Sequence, residues 1–69
     1  MQIIILIANV RKDKGKSQSD VATATGIAER QLSRYENQHE IPKLPTLAKI
    51  ADYLGCTIED LYEVKQTGE

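Results

Sequence analysis

The stretch from Ser17 to Asn37, SQSDVATATGIAERQLSRYEN, constrains this chain more than any other. It holds two short helical patterns hinged at one glycine. Ser17 can open the first helix, because its hydroxyl accepts one of the backbone N–H bonds that a helix start leaves unmade. Asp20 stands three residues on, so a capping box is available with Asp in place of the usual Glu or Gln. Val21 and Ala22 supply a small apolar face. Gly26 then falls where the helix must stop in a left-handed conformation, which costs glycine no steric penalty. Ile27, Leu32 and Tyr35 resume helical spacing and leave Glu29, Arg30, Gln31, Ser33 and Arg34 on the outer face. Two helices joined this way form the helix-turn-helix arrangement that lays its second helix in a DNA major groove. Arg, Gln and Ser are also side chains able to read base edges. Any small helical domain turns a polar face to water, however, so the pattern alone leaves binding open.

The rest of the chain reads as helices around that motif, five in all, with no sheet. The first is expected over about Ile3 to Asp13, with Ile3, Ile7 and Val10 facing inward. Gly15 stops it, and lysines nearby favour the negative end of its dipole. The second covers about Gln18 to Ala24 and the third about Glu29 to Glu36. A loop from Asn37 to Leu44 contains Pro42. The fourth runs from about Pro45, tolerated in a first turn, to Leu54, with Leu47, Ile50, Ala51 and Leu54 in one stripe. Gly55 ends it. Thr57 caps the fifth, with Asp60 three residues on and Ile58 and Leu61 toward the core. The polar tail from Lys65 to Glu69 is expected to fray.

A chain of 69 residues makes one domain, residues 1–69, with a core small enough that packing or a partner chain must help it. A single cysteine, Cys56, rules out an internal disulfide and points to a reducing compartment. Its expected role is that of a small buried hydrophobe. No charged-then-apolar leader with a cleavage site is present and no run approaches bilayer length, so the expected location is cytoplasmic. The net charge of −1 is unusual for a nucleic-acid binder, but it is unevenly spread. Residues 1–39 carry six cations against four anions, for +2, and residues 40–69 carry three against six, for −3. The basic half is the half with the outward arginines. No nucleophile–base pair, metal cluster or phosphate-cradling loop is visible, so no enzyme, cofactor or small-molecule ligand is expected. His39 has no Cys or carboxylate company suited to metal binding.

The chain resembles the Cro/lambda-repressor type of helix-turn-helix regulator, the XRE family, from about Ile7 to Val64. Arg11 with Gly15, Ser17-Gln18, Val21-Ala22, Gly26-Ile27 and Ser33-Arg34-Tyr35-Glu36-Asn37 carry the resemblance. Ile41-Pro42, Leu47, Lys49-Ile50-Ala51, Leu54-Gly55 and Thr57-Ile58-Glu59-Asp60-Leu61 extend it in one register. It implies an all-α, compact five-helix lambda-repressor-like domain that binds double-stranded DNA as a transcriptional regulator. A repressor acting as a homodimer on an inverted repeat is the form expected. Glu29, Arg30 and Arg34 match the base-reading positions of the recognition helix. Gln18 matches a phosphate-touching position, where the helix N-terminus faces the DNA backbone. Gln31, Ser33, Asn37, Gln38, His39 and Lys43 are the further candidates for backbone contact. Arg11 and Glu36 match a structural ion pair, and Tyr35 is expected in the core.

Two positions depart from the pattern. Ala28 stands where a Ser, Thr or Asp cap is usual, and Gln38 stands where Gly is common. The opening MQIIILIANV is apolar nearly all round a helix, and Ile5 lies opposite the inward face. Those β-branched residues suit a short strand equally well. One reading makes residues 1–6 a dimer contact, with an N-terminal strand beside Tyr62 to Lys65, and residues 57–65 share in it. An exposed Ile5 and the acidic C-terminal half also leave open a protein-interaction module of antitoxin-like type, with little operator specificity.

Overall fold

Three consecutive isoleucines decide how the chain begins. The computed structural model describes residues 1–66 and places Gln2–Ile5 in a strand, β1. Stiff, β-branched side chains fit a pleated ribbon better than a helix turn. As a strand, Ile3 and Ile5 share one face, and Ile5 is driven into the core at 3% exposure. The expected helix from Ile3 is therefore corrected. Helix α1 spans Ile7–Asp13, and the exposure expected of Ile5 is reversed.

The partner of β1 comes from the other end of the same chain. Strand β2, Tyr62–Lys65, pairs with it antiparallel in the register Gln2↔Lys65, Ile3↔Val64, Ile4↔Glu63 and Ile5↔Tyr62. An N-terminal strand beside Tyr62 to Lys65 does form, and it pairs within one chain. The all-α, five-helix expectation is thus corrected to four α-helices, one 3₁₀ turn and a two-stranded sheet among the described residues. The fifth helix is that 3₁₀ turn, Ile58–Leu61, opened by the Thr57–Asp60 capping box. It ends after one turn because the chain extends directly into β2. Lys65 belongs to that strand and does not fray; positions 67–69 of the expected tail lie outside the described residues.

Between the strands the helices follow local signals. Helix α2 covers Gln18–Thr25 behind a complete capping box, in which Ser17 Oγ accepts from the Asp20 N–H at 3.0 Å and Asp20 Oδ2 accepts from the Ser17 N–H at 2.9 Å. Gly26 ends it at φ 78°. Helix α3 is Glu29–Glu36, and α4 is Leu44–Leu54 with its proline in the first turn. Ile7, Val21, Leu32, Ile50 and Leu61 are wholly buried, and Ile5, Tyr35, Leu47, Ala51 and Leu54 complete the core around them. Tyr35 at 6% exposure has left the surface, as expected. Cys56 is a free, half-buried thiol at the core margin, and burial raises its pKa. Among the described residues no helix is long and apolar enough to cross a membrane.

Candidate nucleic-acid interface

Helix α3 is held by its apolar stripe. Leu32 and Tyr35 point into the core from one side, and the opposite side is left to charge and polarity. With 3.6 residues per turn, Glu29, Arg30, Ser33 and Arg34 fall within one arc of about 140°. Glu29, Arg30 and Arg34 are exposed, while Ser33 within the arc and Gln31 just beyond it are half-buried. Arg30 and Arg34 stand one turn apart, so two guanidinium groups share a single ridge. Arg34 Nε bonds Glu40 Oε1 at 3.2 Å, with the side chains 52% and 45% exposed. A pair this wet adds little to stability and is readily exchanged for a stronger acceptor. Glu40 was not anticipated from sequence, because a loop residue six positions away carries no periodic signal.

The turn presenting α3 is made by residues 25–28. Thr25 Oγ1 donates to the Val21 carbonyl at 2.7 Å and accepts from the Ile27 N–H at 3.3 Å. Ile27 packs against the core. Ala28 holds the extended backbone of an N-cap but supplies no capping oxygen, as its side chain dictates.

At the other end of α3 lies the ion pair. Arg11 meets Glu36 through two bonds, Nε to Oε2 at 2.9 Å and Nη2 to Oε1 at 3.0 Å, with side-chain exposures of 11% and 7%. Arg11 Nη1 also donates to the Lys16 carbonyl at 3.0 Å. Gln18 Nε2 donates to Glu36 Oε1 at 3.0 Å. Burial alone would raise the Glu36 pKa, but the bonds from Arg11 and Gln18 outweigh it and hold the carboxyl below its ordinary range. The same bond to Glu36 raises the Arg11 pKa. Glu36, at the end of α3, therefore ties that helix both to α1 and to the start of α2.

The remaining sequence candidates separate into two groups. Gln18 keeps one amide hydrogen beyond the one bonded to Glu36. His39 and Lys43 are exposed on the loop after α3. Asn37 folds back on the helix end, its Nδ2 donating to the Ser33 carbonyl at 2.9 Å and to Ser33 Oγ at 3.1 Å. Gln38 is the clear departure. Its Oε1 accepts from the Ile5 N–H at 2.8 Å and its Nε2 donates to the Ile5 carbonyl at 2.9 Å. Its side-chain amide thus occupies the outer edge of β1, with both of its polar atoms bonded to the Ile5 backbone. Its own backbone sits at φ 65°, the single non-glycine residue with positive φ among the described residues.

This geometry has known counterparts. A crystal structure of a protein from Bacteroides fragilis, proposed to bind DNA, superposes with a TM-score of 0.85 at 24% identity, covering 90% of this chain and all of that one. That likeness establishes the fold. A crystal structure of an HTH_3 family transcriptional regulator from Vibrio cholerae matches at 33% identity with a TM-score of 0.70, over 75% of this chain and 29% of that one. The cryptic phage CTXphi transcriptional repressor RstR of Vibrio cholerae serotype O1 is 36% identical over 61 residues, 88% of this chain. The chain spans about half of that repressor's length, 54%. The sequence profile of the helix-turn-helix family HTH_3 matches residues 7–61. Motif, fold and profile agree, and the chain belongs to the HTH_3 family of XRE-type helix-turn-helix DNA-binding regulators.

Proposed function

We propose that this chain is a sequence-specific transcriptional repressor that binds double-stranded DNA as a homodimer, with α3 in the major groove of each half of an inverted repeat. The observation that carries the reading is the outward arc of α3, where Glu29, Arg30 and Arg34 stand exposed on a helix whose opposite face is locked in the core. Arg30 and Arg34 each pair with a guanine edge through two parallel bonds, and Arg34 exchanges Glu40 for the base. Glu29 accepts from a cytosine amino group or orients Arg30. Gln31 and Ser33 work at the groove edge. Gln18, Asn37, His39 and Lys43 position the protein on phosphates without reading sequence. The similarity to RstR, a phage repressor, supports repression as the outcome. The interaction-module reading loses one of its two supports, since Ile5 is buried.

The test is selection from randomised duplex DNA at two salt concentrations, with wild type, Arg30→Ala and Arg34→Ala. The expected result is an enriched inverted repeat with half-sites about one helical turn apart. Each arginine variant weakens binding to that site by roughly 5- to 150-fold, as loss of a bidentate base contact does. Retention that is salt-sensitive but sequence-blind, and indifferent to both arginines, refutes the reading.

A further inference from the structure

Two side-chain ion pairs form among the described residues, and both involve the last turn of α3. Arg11–Glu36 is nearly out of water and ties helices together. Arg34–Glu40 is exposed and adds little to stability, yet it occupies an arginine of the reading arc. Position 40 is also held in place. Gln38 reverses the chain at φ 65° and anchors its amide on Ile5. The His39 N–H donates to the Arg34 carbonyl at 2.9 Å, and Pro42 is buried. Glu40 therefore projects from a loop fastened on both sides, directly beside the Arg34 guanidinium.

The chemistry of that carboxylate narrows what it can do. The Gln31 amide and the Arg34 guanidinium hold the Glu40 carboxyl below its ordinary range, so it is ionised at neutral pH. An ionised carboxylate only accepts. In the free protein Arg34 supplies a charged donor. Once Arg34 turns to a guanine edge, Glu40 loses its ion pair beside a groove walled by phosphates, where an anion without a donor is costly. The donors that base edges offer in the major groove are the amino groups of cytosine and adenine. Adenine sets the acceptor N7 next to its amino group, guanine shows two acceptors, and thymine shows an acceptor and a methyl. Cytosine alone presents a donor with no acceptor.

We propose that Glu40 is a specificity-determining residue that reads a cytosine next to the guanine taken by Arg34. Binding then splits the Arg34–Glu40 pair between two bases, the guanidinium going to an acceptor edge and the carboxylate to a donor edge. The two groups stand 3.2 Å apart in the free protein, close to the rise of about 3.4 Å between stacked bases, so neighbouring base pairs suit them. Guanine or thymine at the second position sets an oxygen against the carboxylate and is rejected. Repulsion of the wrong base thus adds to attraction of the right one, which is how discrimination exceeds bare affinity.

This role of Glu40 rests on the repressor reading of α3, and the test separates the two. Selection from randomised duplex DNA is run with wild type, Arg34→Ala, Glu40→Ala and Glu40→Gln, followed by titration of single-base variants of the selected site. Circular dichroism is the folding control; Glu40 is exposed, so both of its variants fold. Wild type prefers cytosine to guanine, beside the guanine whose selection Arg34→Ala abolishes, by roughly 5- to 150-fold, the usual cost of one mismatched pair. Glu40→Ala keeps that guanine and loses the cytosine preference. Glu40→Gln moves the preference to adenine, which a glutamine amide pairs through two bonds. A Glu40→Ala protein that still demands the cytosine, or whose affinity changes by the same factor for every sequence, overturns the proposal. One that loses the guanine instead also overturns it, since Glu40 then only orients Arg34. A wild type that selects no site refutes the repressor and the role of Glu40 together, whereas a site that needs Arg34 and ignores Glu40 refutes the latter alone.

Discussion

Replacing Arg11 by Met removes one partner of an ion pair that sits almost out of water, with 11% and 7% of the two side chains exposed. Methionine keeps the apolar length of the stem and deletes the guanidinium. Glu36 then loses two of its three side-chain bonds and keeps only that from Gln18. Stranding a buried charge costs about 3–5 kcal/mol, and the shallow position of this pair puts it at the low end, about 3 kcal/mol. A domain of this size is stable by only about 4–10 kcal/mol, so one substitution removes a large part of the whole. The assay is urea denaturation at fixed protein concentration, which also holds any self-association constant. Glu36→Gln leaves Arg11 partly bonded through its amide oxygen and the Lys16 carbonyl, and costs less. Arg11→Met combined with Glu36→Leu is milder than Arg11→Met alone, because no charge is left unpaired. The pH dependence follows from the same site. Glu36 has a folded pKa below its unfolded value, so its contribution is present above the ordinary glutamate range and is lost as pH falls through the lowered value. Wild type therefore loses stability with acid more steeply than Glu36→Gln. An Arg11→Met variant within about 1 kcal/mol of wild type, or equal acid slopes for wild type and Glu36→Gln, refutes the reasoning.

Three further outcomes are expected. Ile5→Ala destabilises by about 2–4 kcal/mol in denaturant titration, as a core deletion does, whereas Ile41→Ala at an exposed position stays within about 0.5 kcal/mol. Ala28→Ser supplies the missing cap of α3 and stabilises by about 0.5–1 kcal/mol, seen as a melting temperature several degrees higher. Gln38→Ala and Gln38→Gly both lose the two bonds to Ile5, but alanine also keeps the left-handed strain, so the glycine variant is the more stable by about 1 kcal/mol.

The helical part of the molecule was legible because its signals are local. Ser17 with Asp20, Thr57 with Asp60 and the stop at Gly26 each act within a few residues, and all three are realised. The stripe of Leu47, Ile50, Ala51 and Leu54 reports burial through its period, and all four are buried. The opening segment failed for a complementary reason. Apart from Gln2, residues 1–6 are apolar, so periodicity assigns them no face, and the strand depends on Tyr62–Lys65 at the far end of the chain. In the same way, the fate of the Gln38 side chain was hidden. Its partner is 33 residues away, and a glutamine in a polar loop reads as solvent-facing until β1 is in place.

Gln38 also bears on how reading and assembly are joined. A left-handed residue directly after the Asn37 cap turns the chain sharply away from α3, and glycine would do this without strain. Glutamine costs conformational energy there and offsets it with two bonds to β1, at 2.8 and 2.9 Å. Those bonds fasten the end of the helix that carries Arg30 and Arg34 to the two-stranded sheet. Glu36, two residues earlier, fastens the same helix end to α1 and α2. The outward face of α3 is thus fixed on one side to the start of the helix-turn-helix and on the other to the sheet. In the proposed homodimer the tilt of each recognition helix is then set by these clamps and not by a flexible loop. Loosening Gln38 should therefore relax the spacing tolerated between half-sites while leaving the bases read within each half unchanged. A Gln38→Gly protein that selects the same half-site at the same fixed spacing as wild type would show that this clamp serves stability alone.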